Sequence, residues 1–207
     1  MHVKYVFLTH PHADHITGLI EVLKNYEVKN IYLTDAVHTS DVYIEFLRQV
    51  KKENIPVKLI RKEDKIEFQD DFYFLIFWPK ISYKDREIKN LNNTSIVGKL
   101  VYKNISVLLT GDAENEVQLE LIGDFHNKLK SDILKIPHQG ARDSCNEEFL
   151  QIVNPELAII SVGAKNQFGH PHKITLEKLE KLDILTFRTD LDGTISIISD
   201  GLNFWKE

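Results

Sequence analysis

The chain has almost no cysteine, with one residue, Cys145, in 207. A single cysteine excludes an intramolecular disulfide framework. No apolar run approaches the roughly 18 residues that a membrane-spanning helix needs, and the longest, such as 72–78, have the length of a strand. No basic segment followed by an apolar stretch opens the chain, so the sequence gives no sign of a signal peptide.

Glycine, proline and positive charge are also scarce. Nine glycines and six prolines, without repeats or linkers rich in either, exclude collagen-like and low-complexity chains. The formal net charge of -5 gives no overall electrostatic footprint for nucleic acid, although a local basic groove is compatible with it. With 43% hydrophobic residues the composition predicts a soluble globular domain that spans residues 1–207.

Short apolar runs alternate with amphipathic helical patterns along the chain. The predicted strands are 3–9, 29–33, 57–60, 72–78, 95–102, 106–109, 133–136, 157–162, 184–188 and 195–198, and the last two are predicted to form a hairpin through Asp192-Gly193. The predicted helices are 16–23, 41–53, 114–122, 147–153 and 175–182. Strands of this kind between amphipathic helices favour sheets covered by helices. An αββα sandwich fits the order, but periodicity alone does not separate it from a doubly wound single sheet.

Three of the nine histidines fall within six residues, where a predicted strand ends and a helix begins. His10, His12 and His15 stand there together with Asp14. Alternate positions at a strand end point the same way, so His10 and His12 can converge on one metal ion. Asp14 and His15 lie in the turn into the helix, displaced enough to serve a second ion.

Two further strands end at polar residues of the same kind. Asp112 follows the apolar run 106–109, and His138 follows 133–136. An unpaired aspartate in this position is costly unless it caps the next helix or binds a metal. For His138, the alternative to a metal ligand is a buried, capped histidine. Because sites gather at strand ends, one shared metal site is the favoured interpretation.

The segment His10-Pro-His-Ala-Asp-His15, with Gly18 three residues on, resembles the HxHxDH signature of the metallo-β-lactamase fold hydrolases. Within that superfamily the chain resembles the hydrolase domain of the ComEC family of DNA-uptake competence proteins. The later motifs that carry this resemblance are 91–97, 108–113, 134–140, 160–163, 166–171, 188–190 and 193–195. It covers nearly the whole chain and implies a four-layer αββα sandwich.

The resemblance also implies a set of site residues. Two divalent metal ions, Zn²⁺ or Mn²⁺, are expected, held by His10, His12, Asp14, His15, Asp112 and His138, with Asp112 shared between them. Asp14 and His170 are the expected catalytic residues. Asn93, Arg142 and His170 are expected to contact substrate, and Asn93 is also a candidate to lend a carbonyl oxygen to a metal.

The chain departs from the family pattern at three places. The usual third-motif histidine is absent, and Asn92, Asn93 and Ser95 occupy that stretch. Gln139 follows His138 where members of the ComEC family usually have a second histidine. The strands that precede the histidine strand in the family are missing, so the domain is expected to be N-terminally incomplete.

Three functions follow as expectations. The first is a nuclease domain that acts on DNA during competence-type uptake, next to an upstream membrane channel domain and on the outer face of the plasma membrane. The second is a stand-alone, cytoplasmic hydrolase of a small ester, lactone, thioester or phosphodiester, which the net charge of -5 favours weakly. The third is a non-catalytic module with a degenerate metal site.

Overall fold

The computed structural model describes residues 2–207. In this range the helices are α1 (Ala13–Asn25), α2 (Asp41–Lys52), α3 (Asn115–Leu129), α4 (Glu147–Val153), α5 (Lys173–Lys181) and α6 (Thr189–Asp192), with 3₁₀ turns at Asn92–Thr94 and Pro137–Gly140. The strands are β1 (His2–Val3), β2 (Val6–Leu8), β3 (Glu27–Val28), β4 (Ile31–Leu33), β5 (Val57–Leu59), β6 (Lys65–Gln69), β7 (Phe72–Trp78), β8 (Val97–Tyr102), β9 (Ile105–Leu109), β10 (Ile133–Lys135), β11 (Leu157–Ile160), β12 (Leu185–Arg188), β13 (Ile197–Ser199) and β14 (Phe204–Lys206).

Two sheets form the centre of the fold. The larger has seven strands in the order β12-β11-β10-β9-β8-β7-β6, antiparallel from β6 to β9 and parallel from β9 to β12. The smaller is parallel, in the order β2-β4-β5. Two further pairs, β1 with β3 and β13 with β14, lie apart from them.

Three hydrophobic clusters separate four layers. One joins α1 and α2 to the small sheet and includes Ile16 and Phe46. The second lies between the sheets and includes Tyr32 and Phe74. The third covers the outer face of the large sheet with α3, α4 and α5 around Phe149. The αββα prediction is therefore confirmed, and the single doubly wound sheet is excluded.

Several predicted elements were wrong in detail. The strand predicted over residues 3–9 is broken into β1 and β2, and β6 and β14 were not predicted. The hairpin through Asp192-Gly193 does not form, because β12 pairs in parallel with β11, and β13 pairs with β14. The intervening residues form α6 instead, where the Asp192 carboxylate accepts from the backbone N–H of Arg188 and Arg188 pairs with Asp190.

The ends of β2, β9 and β10 meet at one edge of the sandwich. The backbone N–H of Ile96 donates to the Thr9 carbonyl at 3.0 Å and so ties the two sheets together there. The Thr110 hydroxyl donates to the Lys135 carbonyl at 2.7 Å, and the His138 N–H donates to the Gly111 carbonyl at 3.2 Å. These bonds bring the three predicted ligand segments to one place.

An apolar cleft of about 690 Å³ runs between the sheets beside β2. Its lining includes Tyr5, Phe7, Phe68, Phe72 and Leu100. Within the described residues β2 pairs with β4 alone in its sheet, so its other edge borders the cleft. None of the helices in the described part of the chain has the length and apolarity that crossing a membrane requires.

Candidate metal centre

His10 and His12 face each other at the end of β2. The Nε2 of His10 lies 3.0 Å from the Nδ1 of His12, and His10 is buried. Two nitrogens bound to one tetrahedral ion at 2.0–2.1 Å lie about 3.3 Å apart, so this separation suits a shared ion.

Hydroxyl groups fix the orientation of the His10 ring. Its Nδ1 lies 3.1 Å from the Thr9 Oγ1 and 3.2 Å from the Ser95 Oγ, so its Nε2 is directed towards His12 and Asp112. Burial, with the charge of His15 second, lowers the pKa of His10 from 6.5 to about 3. His10 is therefore neutral near pH 7, the form in which imidazole binds a metal.

The Asp112 carboxylate lies at the meeting point of three imidazoles. Its Oδ2 is 3.1 Å from the His15 Nε2 and 3.9 Å from the Nε2 atoms of His10 and His138. Burial alone would raise the pKa of Asp112, but the hydrogen bond from His15 and nearby positive charge hold that pKa well below its usual range. Gly111 permits this position, because its φ is +52° and an added Cβ would come within 2.8 Å of the Ser95 side chain.

The second Asp112 oxygen fits a bound metal better than a helix cap. Helix α3 begins at Asn115 with Glu114 as its N-cap residue, so Asp112 does not cap it. The Oδ1 of Asp112 is buried and has no hydrogen-bond partner among the described residues. A buried acceptor without a partner is costly, and a cation removes that cost. One atom each from His10, His15 and Asp112 lie within 4.8 Å of one another.

Asp14 and His15 lie in the first turn of α1. The Asp14 Oδ2 is 3.6 Å from the His15 Nε2, and this carboxylate is exposed. The Gln139 amide donates to the same oxygen at 3.3 Å, so the residue that replaces a second histidine contacts the site through Asp14. The exposure of Asp14 leaves this side of the cluster open to a substrate.

His138 takes a backbone conformation that few side chains adopt. Its φ of 44° lies in the left-handed region, as does the φ of Gln139. Such residues cost on the order of 1–3 kcal/mol and cluster at functional sites. Gly140, at φ +79°, packs so tightly that an added Cβ would lie 2.6 Å from the Pro171 Cβ. That contact seats the segment carrying His170 against the turn carrying His138.

Glu114 lies beside the His138 ring, and the sequence alone did not predict this neighbour. Its Oε1 lies 3.7 Å from the His138 Nδ1, opposite the Nε2 that faces Asp112. Asn90 and Asn92 each donate to the Glu114 carboxylate at 2.7 Å. Carboxylates commonly orient the free nitrogen of a metal-binding histidine, but 3.7 Å is longer than a hydrogen bond, so an orienting role for Glu114 is a prediction. The signal available in the sequence was a carboxylate two residues after Asp112.

The carbonyl oxygen of Asn93 is hydrogen-bonded to other groups of the protein, and its contact with a metal or a substrate stays a prediction. That oxygen accepts from the Trp78 indole at 2.7 Å and the Tyr83 hydroxyl at 3.1 Å. The side-chain oxygen of Asn93 accepts from the Glu114 N–H. Asn92 stands closer to the ligands, 3.4 Å from the His138 Nδ1, with its own Oδ1 buried and without a partner among the described residues.

The remaining predicted contacts lie around this cluster. The His170 ring is 5.5 Å from the His138 ring, and burial, followed by the charge of His138, lowers the pKa of His170. Arg142 is exposed and lines a separate polar pocket that adjoins the cluster through Glu114. Its contact with a substrate stays a prediction.

The six predicted ligands thus occupy one edge of the sandwich. His10, His12, Asp14, His15, Asp112 and His138 are linked by successive side-chain separations of 3.0–3.9 Å. Nitrogen and carboxylate donors in this mixture suit divalent transition metals.

The family model described as "Metallo-beta-lactamase superfamily" matches residues 1–164. Among curated proteins, the chain is 32% identical over 190 residues to "ComE operon protein 3" of Bacillus subtilis, which covers 92% of this chain and 24% of that protein. It is also 32% identical over 127 residues to "Competence protein ComA" of Neisseria gonorrhoeae, a match that covers 60% of this chain and 17% of that protein. The chain therefore spans about a quarter or less of the length of these relatives.

Solved structures share the fold at low sequence identity. A putative metal-dependent hydrolase from Parabacteroides distasonis matches with a TM-score of 0.57 at 13% identity, over 92% of this chain and 78% of that one. CmlA, a diiron β-hydroxylase from Streptomyces venezuelae, matches with a TM-score of 0.58 at 12% identity, over 90% of this chain and 44% of that one. Identities this low support the architecture and leave the chemistry to the site.

Proposed function

The chain belongs to the metallo-beta-lactamase superfamily, and we propose that it is a metal-dependent phosphodiesterase, the nuclease domain of a DNA-uptake protein. Membership of the superfamily supports a metal-dependent hydrolase. The observation that carries the finer proposal is the buried Asp112 carboxylate, one oxygen of which lies within 3.9 Å of three imidazoles. The two competence proteins among the relatives support DNA as the substrate.

In this proposal His10 and His12 hold one divalent ion, Asp14, His15 and His138 hold a second, and Asp112 is shared. A metal pair held by these residues would lower the pKa of a bound water and would neutralise charge that develops on the phosphodiester. Zn²⁺ and Mn²⁺ both suit the donor set.

The protein's own groups prepare this site before substrate arrives. Thr9 and Ser95 direct the Nε2 of His10 inward, and Glu114 does the same for His138. Burial keeps His10 neutral, so it needs no deprotonation before it binds metal. The exposed Asp14 stands at the open side, where it can hold a proton of the attacking water.

His170 is proposed to contact the phosphate or the leaving oxygen from the side of His138. Its lowered pKa keeps most of the ring neutral near pH 7, where it can donate one hydrogen bond. A neutral imidazole N–H stabilises charge on a phosphate oxygen by donating a hydrogen bond to it. Arg142 is proposed as a further phosphate contact, because guanidinium pairs with phosphate in two-point geometry.

The test is cleavage of fluorescent DNA oligonucleotides by purified protein supplied with Mn²⁺ or Zn²⁺. We expect metal-dependent cleavage that Asp112→Ala abolishes. Ser161→Ala, at an exposed position after β11, is the control expected to retain activity. Absence of DNA cleavage by metal-loaded protein would contradict the nuclease proposal.

The apolar cleft favours a second candidate, hydrolysis of a small ester, lactone or thioester. The cleft reaches His15 and Thr9, and its 690 Å³ would hold a small apolar group. The net charge of -5 also gives no general attraction for DNA. Activity on such substrates without DNA cleavage would favour this candidate, and metal uptake without either activity would favour the non-catalytic one.

We also propose that the domain works beside a membrane channel domain of a longer parent, on the outer face of the plasma membrane. The resemblance to the ComEC family and the small share of the relatives that this chain covers support the proposal. Protease treatment of intact cells that express a tagged parent protein tests it. Digestion of the domain without lysis is expected, and protection until lysis would place the domain inside.

A further inference from the structure

Phe168 presents an aromatic ring to solvent beside the metal-ligand cluster. Its side chain is 63% exposed, the most exposed aromatic among the large hydrophobic residues described. One face of the ring stacks on His170, with ring centroids 5.7 Å apart and planes inclined by 28°. The His170 ring in turn lies 5.5 Å from the ring of His138. Two ring contacts therefore connect Phe168 to a predicted ligand.

The loop that carries Phe168 is held in place by one side chain. The Asn166 Oδ1 accepts from the backbone N–H groups of Phe168, at 3.2 Å, and His170, at 2.9 Å. The Asn166 amide donates to the carbonyls of Gly163, at 3.1 Å, and His170, at 2.6 Å. The backbone that carries the Phe168 ring is thus held by hydrogen bonds within its own loop.

Single exposed apolar residues are ordinary on protein surfaces, and exposure alone assigns no role. Phe168 differs in two ways, because one face of its ring is stacked on His170 and its exposed side lies next to the cluster. A base from an unpaired strand stacks on such a face, and the contact tolerates any base because every base has a π-face. Bases inside a duplex are stacked on each other and cannot use it.

We propose that Phe168 is a base-stacking platform that holds a nucleobase of single-stranded nucleic acid close to the scissile phosphodiester. The proposal rests on the proposed nuclease function and adds a substrate preference to it, for a single strand over a duplex. Stacking measured by alanine substitution corresponds to roughly 5- to 150-fold in affinity per base. Phe168 makes no contact with the six predicted ligands directly, so its loss leaves metal binding intact.

The experiment compares Phe168→Ala, Phe168→Tyr and a control, Trp205→Ala, whose exposed ring lies on β14. Binding of metal-loaded protein is measured by fluorescence anisotropy with a cleavage-resistant phosphorothioate oligonucleotide, single-stranded, duplex or carrying abasic positions. Cleavage of matching phosphodiester oligonucleotides gives KM and kcat. Hydrolysis of methyl p-nitrophenyl phosphate reports on the metal centre without a nucleobase.

We expect Phe168→Ala to weaken single-strand binding and raise KM by about 5- to 150-fold. The loss should be absent from the binding of abasic strands and duplex, and it should exceed any change in methyl p-nitrophenyl phosphate hydrolysis, which reports on His170 and the metal centre. Phe168→Tyr and Trp205→Ala should match wild type. Equal affinity of wild type and Phe168→Ala for the intact single strand would overturn the platform and leave the nuclease function standing. Wild type that binds the strand with the Phe168 dependence but does not cleave it would support the platform and refute the nuclease. Wild type that neither binds nor cleaves would overturn both.

Discussion

Replacement of Glu114 tests whether His138 is a positioned metal ligand. The Glu114 Oε1 lies 3.7 Å from the His138 Nδ1, and its carboxylate accepts from Asn90 and Asn92 at 2.7 Å each. Glu114→Ala removes the group that orients the imidazole and leaves two amides without their acceptor. Loss of an orienting partner of this kind weakens metal binding about 10- to 100-fold, or about 1.4–2.7 kcal/mol.

Glu116→Ala is the matched control, because Glu116 accepts from the Asn93 amide at 3.1 Å two residues away. The affinity for Mn²⁺ is measured by competition with a chromogenic chelator, and thermal melts in EDTA establish that each variant folds. We expect the weakened affinity in Glu114→Ala and wild-type affinity in Glu116→Ala. Unchanged affinity in Glu114→Ala, or equal loss in both variants, would refute the orienting role.

Three further predictions follow from the site and the cleft. Asp112→Ala should lose more activity than His170→Ala, because general acid assistance by His170 is worth about 10²–10⁴-fold in rate. Equal losses, with metal content intact in both variants, would show that Asp112 is not shared between two ions. In metal-free protein, burial lowers the pKa of His10 to about 3, so between that value and 6.5 the unfolded chain binds more protons and stability falls as the pH falls. From pH 7 to pH 5 the His10 contribution should lower the free energy of unfolding by about 2 kcal/mol, measured by urea unfolding in EDTA. The free energy of unfolding of His10→Asn should fall less over the same range, and an equal fall in both proteins would contradict the assignment. The open edge of β2 and the apolar cleft could be covered by strands added upstream. A version extended by about 40 upstream residues should therefore melt at a higher temperature and cleave DNA faster than this chain. Equal melting temperatures and equal cleavage would show that the cleft needs no cover.

The metal-ligand segments were predictable because they are local in sequence. Strands 6–8, 105–109 and 133–135 end within a few residues of His10, Asp112 and His138, and strand ends of an αββα sandwich gather at one edge. Periodicity also predicted α2 and β7 with little error, because α2 has a clear apolar face and β7 is a continuous apolar run.

Features that depend on tertiary contacts were missed. β6 alternates in polarity over five residues, and it is stabilised by pairing with β7 and by the packing of Ile66 and Phe68 between the sheets. The pairing of β12 with β11 overrode the turn signal of Asp192-Gly193, since the local Arg188–Asp190 and Arg188–Asp192 bonds favour a helical turn. The placement of Glu114 beside His138 likewise depends on a turn whose left-handed backbone carries no sequence signal of its own.

The most direct test of the central claim is the number of metal ions that the chain retains. Protein saturated with Mn²⁺ or Zn²⁺ and then desalted is analysed for metal content, beside Asp112→Ala prepared in the same way. The account predicts up to two ions for each wild-type chain and a clear loss in the variant, because the Asp112 carboxylate adjoins ligands of both ions. Folded wild-type protein that retains neither metal would contradict it.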